Sequence, residues 1–232
     1  MRRNIISAAL SAATATLTSA ALILATAPAA AARTAPDAAP GMAIYQKDGN
    51  ESTHCTLGYA ASNAAHQPLA VTAGHCGAPG APVRDKHKRI IGNYIAVQPD
   101  NTASHQYGYS IIRLRNGVAT TAAITRSLSI RTQAQADTND QVCMFGTTSG
   151  MQCGTVKTIT PQAGTIASSL SAPGDSGGPI IRMTDRALVG ILIGHNADRQ
   201  ETYFEPITNI ARLTRTDPAA GTAFGAVTAR GE

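Results

Sequence analysis

The chain has 232 residues, four cysteines, no tryptophan and a formal net charge of +5. The positive excess is too mild to argue for nucleic acid as a partner. Nothing after the first thirty or so residues is apolar enough over a long enough run to read as a membrane span.

The N-terminus reads as a targeting segment. Arg2 and Arg3 precede a stretch rich in Ala, Leu, Ile and Thr that ends in the alanine run 29–32. Charged, apolar and small residues in that order mark a secretory signal over 1–32, which makes the mature protein secreted and extracellular. Arg2-Arg3-Asn4-Ile5-Ile6 leaves export by the general or the twin-arginine route open. Threonines and serines weaken the apolar run as an uncleaved anchor. Removing it leaves about 200 residues, enough for one large β domain or two small barrels. Segment 33–41 is rich in Ala and Pro and reads as a disordered leader.

Short apolar runs then follow at 70–72, 90–91 and 111–114, bounded by Gly, Pro and Asn. This is strand punctuation. Further strands are expected at 154–159, 179–183 and 187–193. Ile207, Ile210 and Leu213 recur every third residue after Pro206, which predicts a short C-terminal helix. The tail 214–232 reads as flexible. Four cysteines in an exported chain imply two disulfides, and sequence alone permits three pairings. His54-Cys55 and His75-Cys76 also bring zinc to mind, but neighbouring residues on a strand face opposite ways and disulfides suit an exported chain better. No metal or other cofactor is expected. The basic cluster 84–89 reads as a solvated β-turn, since no aromatic residues interleave with it.

Two motifs carry chemistry. Gly174-Asp175-Ser176-Gly177-Gly178-Pro179 offers one hydroxyl on a loop too glycine-rich for a core strand. A hydroxyl alone is a poor nucleophile near neutral pH and needs a base. His75, in Thr72-Ala73-Gly74-His75-Cys76, is the candidate. The N–H groups of Gly174 and Ser176 are candidate oxyanion donors.

With these motifs the chain resembles the chymotrypsin-fold (trypsin-like) serine proteases, in the bacterial branch of streptogrisins and alpha-lytic protease. Cys55-Thr56-Leu57-Gly58-Tyr59, the segment 142–155 and Thr202-Tyr203-Phe204-Glu205-Pro206-Ile207 extend the resemblance in the same order over 42–213. It implies an all-β fold of two six-stranded antiparallel barrels, over 42–120 and 121–213, with the short terminal helix closing the second. It also implies the pairings Cys55–Cys76 and Cys143–Cys153.

The resemblance makes Ser176 the nucleophile and His75 the base, with peptide or protein as substrate and a monomer as the expected state. The carboxylate behind the histidine is expected at the head of the strand Gly108-Tyr109-Ser110-Ile111-Ile112-Arg113-Leu114, where this chain has Gly108. Asp100 lies eight residues upstream, too far for a simple slip in register. Ile193 stands where the family places a serine that supports the acid. The expectation is therefore an incomplete triad: a Ser176–His75 dyad of weak peptidase activity, or else an inactive pseudoprotease that binds peptides or a surface. The primary pocket is expected at Leu170, Ile193, Gly194 and His195, with His195 narrowing it. Leu170 occupies the position of the acid that selects basic side chains, so no trypsin-like preference follows.

Overall fold

Hydrogen bonding sorts the apolar runs into two antiparallel sheets. The structure is a computed structural model that describes residues 36–48, 51–101 and 104–229. The signal segment 1–32 lies outside the described residues.

The first sheet runs in the order Gly225–Ala226, Tyr59–Ser62, Leu69–Ala73, Tyr109–Leu114, Ile90–Val97, Pro82–Arg84, Ala43–Asp48 and Glu51–Thr56. It curls but stays open. The second runs Ala187–Asn196, Pro179–Arg182, Gln141–Gly146, Gly150–Ile159, Gly164–Ala167 and Glu201–Pro206. Its last strand pairs again with its first, Leu192 opposite Phe204, so this half closes as a six-stranded barrel. Thr132–Gln133 adds a short parallel strand outside Ala187 and Leu188. The all-β architecture stands as expected, with closure complete in the second half alone.

The period-two alternation of a strand explains why its central runs are apolar without a break. Ala70, Ile112 and Leu114 face the interior of the first half, with Ile44, Ile91 and Tyr94. Their neighbours Leu69, Val71 and Ile111 face the other way, into a second cluster shared with Phe145, Ile181, Leu188 and Ile191 of the second half. Both faces are buried, so neither needs polar residues. The second half keeps a cluster of its own around Met144, Val156, Ile166, Val189 and Phe204. The shared cluster is the seam that fixes one half against the other.

Helix Ile207–Thr214 begins directly after Pro206 and buries Ile207 and Ile210 in that seam. Two expectations at the chain ends need correction. Within the supposed leader, Asp37–Ala38 pairs in parallel with Ala119–Thr120, and Ala38 is fully buried. The supposed flexible tail contributes strand Gly225–Ala226, paired with Ala61 and Ser62, and buries Ala220. Both segments are short and bury alanines, which a reading based on large apolar periodicity overlooks. The basic cluster 84–89 is a turn, as expected. It is organised by buried Asp85, whose carboxylate accepts the N–H groups of His87 and Arg89 and the Arg89 Nε at 2.6 Å.

Candidate active site

The two motifs meet at the seam. Buried strand Leu69–Ala73 runs straight into the 3-10 helix Gly74–Cys76, which lifts His75 to the surface. Cys76 is tied to Cys55, and Cys143 to Cys153 across adjacent strands, the two pairings that the resemblance implied. Cys55, His75 and Cys76 offer ligand atoms within 4.8 Å of one another, but both sulfurs are spent in the disulfide.

The acid is present. Asp100 Oδ2 sits against His75 Nδ1, and the Asp100 side chain is only 5% exposed. The expected Asp-less dyad is thus corrected: the histidine has its carboxylate, supplied from a loop instead of a strand head. Gln98 N–H donates to Tyr109 C=O, and Asn101 exchanges both backbone hydrogen bonds with Gln106. The excursion between 98 and 109 therefore returns on itself and brings Asp100 beside Gly108. Gly108 N–H donates to Asp100 Oδ1 at 2.6 Å, and His75 N–H reaches Oδ2 at 3.4 Å. A Cβ on Gly108 would lie 1.9 Å from the Gln98 carbonyl oxygen. The missing side chain at 108 and the carboxylate from 100 are one exchange. Ile193 does not deprive the acid, because its donors are backbone amides. Ile193 instead packs with Ala73, Cys76 and Tyr107.

Ser176 is half-buried at the end of the glycine-rich loop. Its hydroxyl donates to the Ile193 carbonyl at 3.3 Å, and among the described residues it makes no hydrogen bond to His75. Gly177 has φ +87°, and a Cβ there would lie 2.0 Å from Thr72 Oγ1 of the first half. Only glycine allows this close approach across the seam. Thr56 N–H donates to the Ser176 carbonyl at 2.8 Å, a second tie between the halves.

The loop is ordered by Asp175, which is fully buried. Its Oδ1 accepts the N–H groups of Thr148 at 2.7 Å and Ser149 at 3.0 Å, and its Oδ2 that of Ala172 at 2.9 Å. Buried charge needs such donors. The N–H groups of Asp175, Gly177 and Gly178 are all taken by carbonyls, while those of Gly174 and Ser176 make no hydrogen bond among the described residues.

A cleft of about 450 Å³ lies beside His75, lined also by Ile193, Gly194, His195, Arg199 and Tyr203. Three of the four predicted pocket residues therefore gather here. Leu170 does not join them; it packs against the second-half core. His195 Nδ1 and Ser171 Oγ are 3.1 Å apart, which ties the cleft wall at His195 to the segment that precedes the serine loop. Tyr107 and His105 hydrogen-bond at 3.2 Å on the first-half wall, and burial pushes the Tyr107 hydroxyl up to about 12. A neighbouring hollow of about 530 Å³ shares His105 and Tyr203 and continues past Thr158 and Glu201. The Lys157 ammonium, 2.6 Å from Glu201, holds that carboxyl below its ordinary range. Sequence reasoning missed Asp100 as the acid and missed this aromatic wall. The turn-forming residues of 100–105 were the available sign that the strand head doubles back.

Two curled antiparallel halves, with histidine and carboxylate on one and a serine loop on the other, define a chymotrypsin-fold serine protease homologue. Solved structures agree in fold. Nocardiopsis protease superposes with TM-score 0.61 at 25% identity, covering 76% of this chain and 96% of that one. Cellulomonas bogoriensis chymotrypsin gives 0.63 at 21% identity, over 83% of this chain and 100% of that one. Thermobifida fusca protease A gives 0.64 at 20%, again over 83% and 100%. No family model matches the chain. It belongs to the family of the uncharacterized protein Rv1815 of Mycobacterium tuberculosis strain H37Rv, with which it shares 34% identity over 157 residues, 63% of this chain and 67% of that protein. The uncharacterized protein MT1863 of strain CDC 1551 is equally similar.

Proposed function

We propose that this chain is an exported serine endopeptidase that works through an acyl-enzyme, with Ser176 as nucleophile, His75 as general base and Asp100 as the acid behind it. The observation that carries the reading is the buried Asp100 carboxylate against His75 Nδ1. A carboxylate there holds the imidazole in the tautomer whose Nε2 is free to accept a proton, and stabilises the imidazolium that results.

The chemistry follows from these positions. Ser176 Oγ swings from the Ile193 carbonyl towards His75 Nε2 and attacks the substrate carbonyl as its proton passes to the ring. Catalytic hydrogen bonds often tighten only when substrate is bound. The free N–H groups of Gly174 and Ser176 receive the developing oxyanion. His75 returns the proton to the departing amine, the acyl-enzyme forms, and water reverses the sequence. The cleft beside His75 takes the peptide on the acyl side. With His195 bridged to Ser171 and with Ile193 and Tyr203 lining the cleft, small apolar side chains suit the primary pocket. Two disulfides fit an oxidising compartment. Among the described residues no helix is long and apolar enough to cross a membrane.

A fluorophosphonate probe tests the reading directly. Wild-type protein should be labelled at Ser176, and His75→Ala should abolish labelling while leaving the fold intact. Absence of labelling on folded wild-type protein would instead favour a peptide-binding pseudoprotease.

A further inference from the structure

The two candidate oxyanion N–H groups belong to peptide units whose other ends are held. A trans peptide is planar, and its C=O and N–H point in opposite directions. Fixing the carbonyl therefore fixes where the N–H points. The Ser176 N–H shares its plane with the Asp175 carbonyl, which accepts Gly178 N–H at 2.9 Å. The Gly174 N–H shares its plane with the Pro173 carbonyl, and that carbonyl accepts the Thr148 hydroxyl at 2.8 Å. Between them, the Gly174 carbonyl is gripped by Thr56 Oγ1 at 2.9 Å and Thr147 Oγ1 at 3.1 Å.

We infer that Thr148 is a positioning residue, whose hydroxyl keeps the Gly174 N–H turned into the oxyanion site. This rests on the peptidase reading above. The three planes are not equally secure. The Thr56–Thr147 grip is partly buried and doubled, and the Gly178 bond lies within the loop. The Pro173 plane hangs on one hydroxyl of an exposed residue, so it is the plane freest to rotate. Gly174, at φ +99°, has no side chain to resist rotation. A Cβ there would lie 2.1 Å from His54 Nε2 and 2.6 Å from Thr148 Oγ1, so only glycine fits at this position. When Thr148 lets go, water satisfies the Pro173 carbonyl in any orientation, and the Gly174 N–H is aimed at the oxyanion only part of the time.

Thr148→Val keeps the branched shape and removes the hydroxyl, and Thr148→Ser keeps the hydroxyl. The readouts are the rate of fluorophosphonate labelling at saturating probe, the probe concentration that gives half that rate, and the melting temperature. Outright loss of an oxyanion donor costs about 10²–10³ in rate, so partial misalignment should slow saturated labelling about tenfold. The half-saturating concentration and melting temperature should stay at wild-type values, because the donor acts on charge that develops only in the transition state. Thr148→Ser should restore the wild-type rate. Wild-type labelling kinetics in Thr148→Val would overturn the inference alone. A wild-type protein that is never labelled would overturn it together with the peptidase reading.

Discussion

Asp100 and Gly108 exchange the roles that one aspartate would otherwise combine, and the exchange has a steric consequence. Gly108→Asp does not rebuild a better acid, because its Cβ would meet the Gln98 carbonyl at 1.9 Å. That substitution should cost about 3 kcal/mol in a urea unfolding experiment, in the range for overpacked sites, and should not raise activity. Asp100→Asn leaves the shape intact but favours the wrong imidazole tautomer, so turnover should fall by about 10⁴ while the melting temperature changes little. Full activity in Asp100→Asn would show that the histidine is oriented by something else. These paired outcomes separate a loop-borne acid from an absent one.

Elements that were legible in the sequence were those whose geometry is local. The serine loop, the His-Cys turn and the disulfide hairpin each hold fixed spacing within a few residues. The acid was not legible because the resemblance puts it at position 108, at the head of the strand, whereas Asp100 in the loop before that strand delivers the side chain. Sequence distance there is no guide to separation in space. The paired segments Asp37–Ala38 and Gly225–Ala226 are two residues long and show no periodicity to find. The junction of strand Glu201–Pro206 and helix Ile207–Thr214 hides a further feature. Glu205 is fully buried, Asn209 Nδ2 donates to its Oε1 at 2.6 Å, and its Oε2 has no partner. Burial first, and the nearby Asp100 charge after it, push its carboxyl up to about 9. Between its ordinary value of 4.5 and about 9 the folded chain holds a proton that the unfolded chain has lost, so stability falls as pH rises through that window. Glu205→Gln cannot titrate. Its stability relative to wild type should therefore grow by up to about 1.4 kcal/mol per pH unit across the window, measured by urea unfolding at several pH values. A constant difference would mean that Glu205 ionises freely in the folded protein.

At the scale of the molecule, the C-terminal segment returns to the first sheet and covers the outer edge of strand Tyr59–Ser62. Phe224, Val227 and Ala229 pack against the seam cluster, and Ala229 N–H donates to the Ile130 carbonyl at 2.8 Å. Ending the chain after Arg215 should lower the melting temperature by several degrees and expose an unpaired edge prone to self-association, visible as higher-mass species in light scattering. An unchanged melting temperature and a clean monomer would show the segment to be ornamental. The seam itself has a broader meaning. Histidine and carboxylate belong to one half and Ser176 to the other, and contacts such as Thr72 against Gly177 hold them in register. On the proposed peptidase reading, neither half owns a working centre. A slight parting of the two, too small to disturb either sheet, would separate the proposed reacting atoms, so chemistry would fail before the architecture does.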